Sequence, residues 1–229
     1  MIVRIRKEVF NKFNSKFRVG LVKLEEFDNT SRLMPSKMLL KEAALIHRMT
    51  THKDTIKTHG MINPWRAAQE DLGKKAKHYH TSVEKLVRLA LKKKNLAKNS
   101  LVDNLVSYFQ LKYLVPMALD DYDKIEGDVQ FSLATGRERV GVLKSLKKGE
   151  LYYRDEKKVL GAKLDYWKSS KTAVGKKTKT VLLHLEALPP VSVKEFNSLM
   201  QEVKRLLTNF SGGKVSSAVL HRKKNFVRI

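Results

Sequence analysis

One change of apolar period does most to limit what this chain can fold into. After an opening strand signal, the apolar residues recur every three or four positions up to Pro116; beyond Asp128 they alternate. The first spacing keeps side chains on one face of a helix, the second on one face of a strand. "SKMLLKEAALIHRM" (36–49) reads as a helix with Leu39, Leu40, Ala43, Ala44 and Ile46 as its apolar stripe. "NPWRAAQEDLG" (63–73) places Asn63 as cap, Pro64 at the first helical position and Gly73 past the end. Thr81 and Glu84 form a capping box ahead of the next helix, and "SLVDNLVSYFQLKY" (100–113) continues as an apolar helix.

The alternating half reads as strands at "DVQFSLAT", "VGVLKSL", "GELYYRD", "KVLGAKLDYW" and "KTVLLHLEAL". The third and fourth form a hairpin across Asp155 to Lys158. "KFRVGLVKL" (16–24) supplies the opening strand, with Phe17, Val19 and Leu21 on one face. Ser192 and Glu195 cap a last helix, and Gly212 and Gly213 release a basic tail, 212–229. Without repeats or a long linker, residues 1–211 are expected to form one α/β (α+β) domain, a mixed β-sheet flanked by helices.

Charge restricts function more than it restricts fold. Lys and Arg number 47 against 23 Asp and Glu, a formal net charge of +24. Such an excess repels itself in a compact chain and suits a polyanionic partner, although a lysine-rich proteome would give the same composition. No acid lies between Asp165 and Glu186, where Lys168, Lys171, Lys176, Lys177 and Lys179 fall. None follows Glu202, beyond which come Arg222, Lys223 and Lys224. Lys168, Lys176, Lys177, Lys179, Arg222, Lys223 and Lys224 are therefore the candidate phosphate contacts. No apolar run suits a signal peptide or a membrane span, so a cytoplasmic protein is expected.

The usual catalytic signatures are missing: no phosphate-binding loop, no HExxH and no GxSxG. Cysteine is absent, and the seven histidines include no i,i+4 helical pair, so neither metal nor cofactor is expected. One stretch is unusual. "DYWKSSKT" (165–172) ends a strand with two aromatics, a carboxylate, hydroxyls and lysines. Strand alternation puts Lys163, Asp165 and Trp167 on one face, opposite Leu160, Ala162, Leu164 and Tyr166. The following strand puts Leu182, His184 and Glu186 on one side. Asp165, Trp167, His184 and Glu186 could then line a cleft, or form a half-buried face with satisfied neighbours.

Several segments in register carry a resemblance. "NPWRAAQEDLG", "HTSVEKLVRLALKKKNL", "SLVDNLVSY", "DYDKIEGD", "KKGELYYRDEKKVLGAKLDYWKSSKT" and "TKTVLLHLEALPP" resemble the B3/B4 domain of the phenylalanyl-tRNA synthetase β-subunit, in free-standing form. The likeness runs from about residue 60 to 208. It implies a mixed sheet flanked by helices, with tRNA as partner. It also implies hydrolysis of wrongly charged aminoacyl-tRNA in trans, a reaction that needs a pocket, an oriented water and donors to the developing oxyanion. Basic residues would hold the acceptor stem.

What the resemblance implies for single residues follows the motifs. Asp165, Trp167, Ser169, Ser170 and Thr172 would bind the aminoacylated 3′ end, together with Glu126 and Gly127. Lys171, His184, Asp123 and Asp128 would act in catalysis. Trp167 stands where many relatives carry Arg, Ser170 where an acid is usual, and His184 where the editing glutamate falls. Those departures leave a non-catalytic tRNA-binding module as the alternative. A small-ligand binder is a weaker one, opposed by the charge.

Overall fold

The computed structural model describes residues 1–70, 81–140, 145–162 and 164–229. Most helices and strands fall where the two periods put them; the strands Ile2–Ile5, Met117–Asp121, Lys214–Leu220 and Phe226–Arg228 and the helix Lys7–Phe13 were not expected, and the strands divide into two sheets. One holds four strands in the order β3 (Met117–Asp121), β8 (Thr180–Ala187), β2 (Arg18–Glu25) and β9 (Lys214–Leu220), all antiparallel. The other holds six: β10 (Phe226–Arg228), β1 (Ile2–Ile5), β4 (Val129–Leu133), β5 (Leu151–Arg154), β6 (Val159–Ala162) and β7 (Trp167–Lys168). Only the β1–β4 pairing is parallel, which makes that sheet mixed.

Both faces of the four-stranded sheet are covered. Val22, Leu24, Val181, Leu183 and Leu185 pack on α5 (Leu101–Tyr113) and α6 (Val193–Ser211). Val19, Leu21 and Leu182 turn the other way, onto Val3, Ile5, Phe131, Tyr153 and Leu160 of the larger sheet. Phe17, Val19 and Leu21 thus share the face their alternation predicts. The intervening Val22 and Leu24 are just as inaccessible, because helices cover the second face. The close approach of α6 fixes Gly20, where a Cβ would lie 2.4 Å from the Met200 sulfur.

A satellite core joins α2 (Leu33–Thr50), α4 (Ser82–Leu91) and α5 through Leu40, Ala44, Val83, Val87 and Leu111. Ile46, expected on the apolar stripe of α2, instead stands 53% exposed. The helix α3 (Asn63–Glu70) begins as expected; its predicted end at Gly73 lies outside the described residues, as do Lys163 and much of "VGVLKSL". Thr81 caps α4 by accepting from the Glu84 amide at 3.1 Å. The Glu84 carboxylate, fully buried, accepts from Arg66 and Arg88 at 3.2 and 2.8 Å.

The segment read as a basic tail is structural. Val19–Glu25 pair in register with Lys214–Leu220, and Ile2–Arg4 with Phe226–Arg228. Val215 and Val219 on one face and Leu220 on the other gave too weak an apolar signal amid the lysines, yet each sheet needs this edge. Among the described residues no helix is long and apolar enough to cross a membrane.

Candidate active site

The predicted strand "KVLGAKLDYW" breaks after Ala162. Leu164 and Asp165 take the left-handed backbone, φ 53° and 59°, and the chain reverses so that Trp167 and Lys168 pair with Ala162 and Gly161. This conformation is unfavourable for leucine, and the surroundings hold it in place. Buried Leu164 fills the core between the sheets, and its carbonyl accepts from the Ser82 amide at the start of α4, at 3.1 Å.

The reversal drives Asp165 inward. His184, on β8, places its Nε2 3.0 Å from an Asp165 oxygen, and Glu186 has an oxygen 3.9 Å from the same nitrogen. All three residues are buried. The imidazole is gripped edge-on by Tyr153 and Phe131, with centroids at 4.6 and 5.2 Å. Burial, with the Asp165 charge beside it, pushes the Glu186 carboxyl well above its usual range. Its second oxygen, Oε2, has no hydrogen-bond partner among the described residues. The grouping of Asp165, His184 and Glu186 is the one alternation allowed; Trp167 does not join it.

Asp165 also lines a cleft of about 510 Å³. Its walls come from the start of α5 and the loop before it (Lys98, Ser100, Asp103, Ser107), from Ser82 and Gln110, and from the loop after β7 (Ser169, Val174, Lys176). Hydroxyl and amide groups share the lining with charged side chains and with apolar ones that include Val106, Met117 and Leu119. Ser82 donates to the Gln110 side-chain oxygen at 2.7 Å, and Ser100 to Asp103 at 2.6 Å. Lys98 is paired with Asp103 at 2.6 Å. Lys168, also on the lining, is paired with Asp120 at 2.7 Å, which leaves Lys176, exposed and without an ion pair among the described residues, as the cleft lysine open to a phosphate.

Lys168 has a structural bond that the sequence did not reveal. Its ammonium sits 2.7 Å from Asp120, a buried carboxylate on β3, and also meets the Tyr153 hydroxyl. Tyr153 donates to the same carboxylate at 2.9 Å, and the Thr172 hydroxyl donates to it as well. Lys168, expected on phosphates, and Thr172, expected on substrate, are therefore occupied within the protein. Burial, then the Asp120 charge, pushes the Tyr153 phenol far up, so it remains a donor. Trp167 packs with Tyr152, Ala162, Val140 and Leu146, on the sheet face opposite Tyr153. Ser169 does line the cleft, whereas Ser170 and Lys171 stand exposed on the short turn between Ser169 and Ala173.

"DYDKIEGD" has a structural explanation too. Asp128 accepts from the Ile2 amide at 2.8 Å and pairs with Arg4 at 3.3 Å, which fixes β1. Glu126 pairs with Lys157 and Lys158 at 2.6 and 2.7 Å. Gly127 has φ 78°, a conformation glycine adopts without strain. Asp123 is exposed on a single helical turn. None of these four lines the cleft. Lys177, Lys179, Arg222, Lys223 and Lys224 are exposed, the last three at the turn between β9 and β10. The sequence reading missed Asp120, Tyr153, Gln110 and Lys98. Only Asp120, a carboxylate within an apolar strand, carried a local signal.

A family comparison matches residues 64–205 to the B3/4 domain. No curated protein matches the chain. The matched stretch runs from α3 into α6 and contains β3, β8 and every residue of the Asp165–His184–Glu186 group. By that match over more than half of its length, the chain belongs to the B3/4 domain family.

Proposed function

We propose that this protein binds tRNA and hydrolyses the ester of mischarged aminoacyl-tRNA in trans. The observation that carries the reading is a cleft of about 510 Å³ with hydroxyls and the Asp165 carboxylate in its wall. Its size suits an amino acid with part of a terminal adenosine. The resemblance to the synthetase domain and the net charge of +24 support tRNA as the partner.

On this reading Asp165, oriented by His184, accepts a proton from water in the cleft. The water oxygen attacks the ester carbonyl carbon. The bond to the ribose oxygen breaks, and that oxygen takes up a proton as it leaves. Ser82, Ser169 and Gln110 surround the acyl group and supply hydrogen bonds. Lys176 meets a phosphate of the 3′ end, with Lys171 and Lys177 beside it on the same exposed loop. Trp167 would support the loop from behind, and Asp123, Glu126, Gly127 and Asp128 would hold the sheet edge.

The test is single-turnover hydrolysis across a panel of mischarged tRNAs. At least one should be deacylated well above its spontaneous rate, and Asp165→Asn should slow that reaction roughly a hundredfold or more with tRNA affinity retained. Tight tRNA binding with no hydrolysis of any panel member would leave a non-catalytic binding module, the reading that the replacement of the family's glutamate by His184 favours.

A further inference from the structure

Asp165, His184 and Glu186 each offer a ligand atom, and these atoms all lie within 4.8 Å of one another inside the protein. Metal–ligand bonds of about 2.0–2.2 Å place neighbouring ligand atoms roughly 3 to 4.4 Å apart. The His184 separations of 3.0 and 3.9 Å fall within that span. A carboxylate oxygen of Asp165 and one of Glu186 lie no more than 4.8 Å apart.

A histidine hydrogen-bonded to an aspartate is common and implies no ligand. Glu186 does not fit that explanation. Its Oε2 is buried and unpartnered among the described residues, beside a second carboxylate. An orphaned buried acceptor of this kind is destabilising, yet the fold retains it. A divalent cation bound through both Glu186 oxygens would satisfy Oε2 as well as Oε1 and would offset the charge of two ionised carboxylates. The hydrophobic surround of Phe131 and Tyr153 would shield the bonds, and Asp165, which also lines the cleft, gives a route from solvent.

We propose that Asp165, His184 and Glu186 form a binding site for one divalent transition-metal ion of the zinc class. One imidazole nitrogen with two carboxylate oxygens suits zinc better than magnesium, which prefers oxygen ligands and keeps several waters. Three protein ligands leave a fourth position for water, which is the pattern of zinc sites that are not purely structural. The site shares Asp165 with the proposed deacylase, but zinc binding is read without tRNA, so the two readings can fail separately.

The experiment uses the full chain without an affinity tag, treated with chelator and then titrated with zinc, manganese or magnesium chloride by calorimetry. Zinc should bind at one equivalent, at least roughly tenfold more tightly than magnesium, and raise the melting temperature. Glu186→Gln, which keeps the shape and removes a ligand charge, should weaken zinc at that site by about tenfold or more. Should Glu186→Gln fail to fold, Asp165→Asn carries the same comparison. Surface histidines such as His52 and His59 would bind zinc equally in wild type and variant. Binding unchanged by the substitution, or the absence of a one-equivalent zinc site, overturns the proposal. Neither outcome bears on whether mischarged tRNA is hydrolysed.

Discussion

At the scale of the residue, a lysine's surroundings decide what its charge does. Lys168 and Lys176 look alike in the sequence, eight positions apart in an acid-free run. Lys168 neutralises buried Asp120, and its removal would leave that carboxylate with only the Tyr153 and Thr172 hydroxyls. Breaking a buried pair on one side is costly because the other charge stays in place. Lys168→Met is therefore expected to lower stability by about 2–3 kcal/mol, as read from urea unfolding, while leaving the salt dependence of tRNA binding unchanged. Lys176→Met should do the reverse. Equal stability of the two variants would place Lys168 among the surface lysines after all.

At the scale of the element, the β5–β6 hairpin depends on one carboxylate. Asp155 is buried and accepts from the amides of Glu126, Lys157 and Lys158 at 3.0, 2.9 and 2.7 Å, and from the Lys158 ammonium at 3.0 Å. Burial alone would raise its pKa, but these donors outweigh it and hold the carboxyl below its usual value of 3.8. A depressed folded pKa adds stability above the unfolded value and loses it as pH falls through the folded one. Asp155→Asn should thus cost about 1.5–3 kcal/mol near neutrality, and the gap to wild type should narrow below about pH 4. Chemical unfolding at several pH values measures this. A gap that is constant with pH would mean that the ionised form has no special role.

At the scale of the whole molecule, the C-terminal strands join both sheets. Deleting residues 214–229 would strip β9 from β2 and β10 from β1, opening two sheet edges. The truncated chain is expected to lose its cooperative thermal transition in circular dichroism; a retained transition would make these strands dispensable. The basic turn between them can be probed without that damage. Arg222→Glu with Lys223→Glu keeps the strands, and if those residues touch phosphates the log–log salt slope of tRNA binding should fall by roughly one to two units.

The pattern along the chain carries most of the element types, since apolar period and caps are local: Thr81 and Ser192 cap their helices where expected, whereas β1, β3, β9 and β10 lay outside its strand signals. The sequence also determined the net charge, and the face shared by His184 and Glu186, because strand alternation needs no knowledge of neighbours. Contacts between elements set the rest. Whether the strands formed one sheet or two depended on which faces found helices. Trp167 and Asp165 parted because the chain reverses at Leu164, held in a left-handed conformation by its burial and by the Ser82 amide. Lys168, still partly exposed, turned to Asp120 on a strand 48 positions away. The three-residue group at Asp165 escaped a search for helical histidine pairs, since it forms between a turn and a neighbouring strand. Spacing along the chain encodes what lies on one element; distances between elements arise only when the core packs.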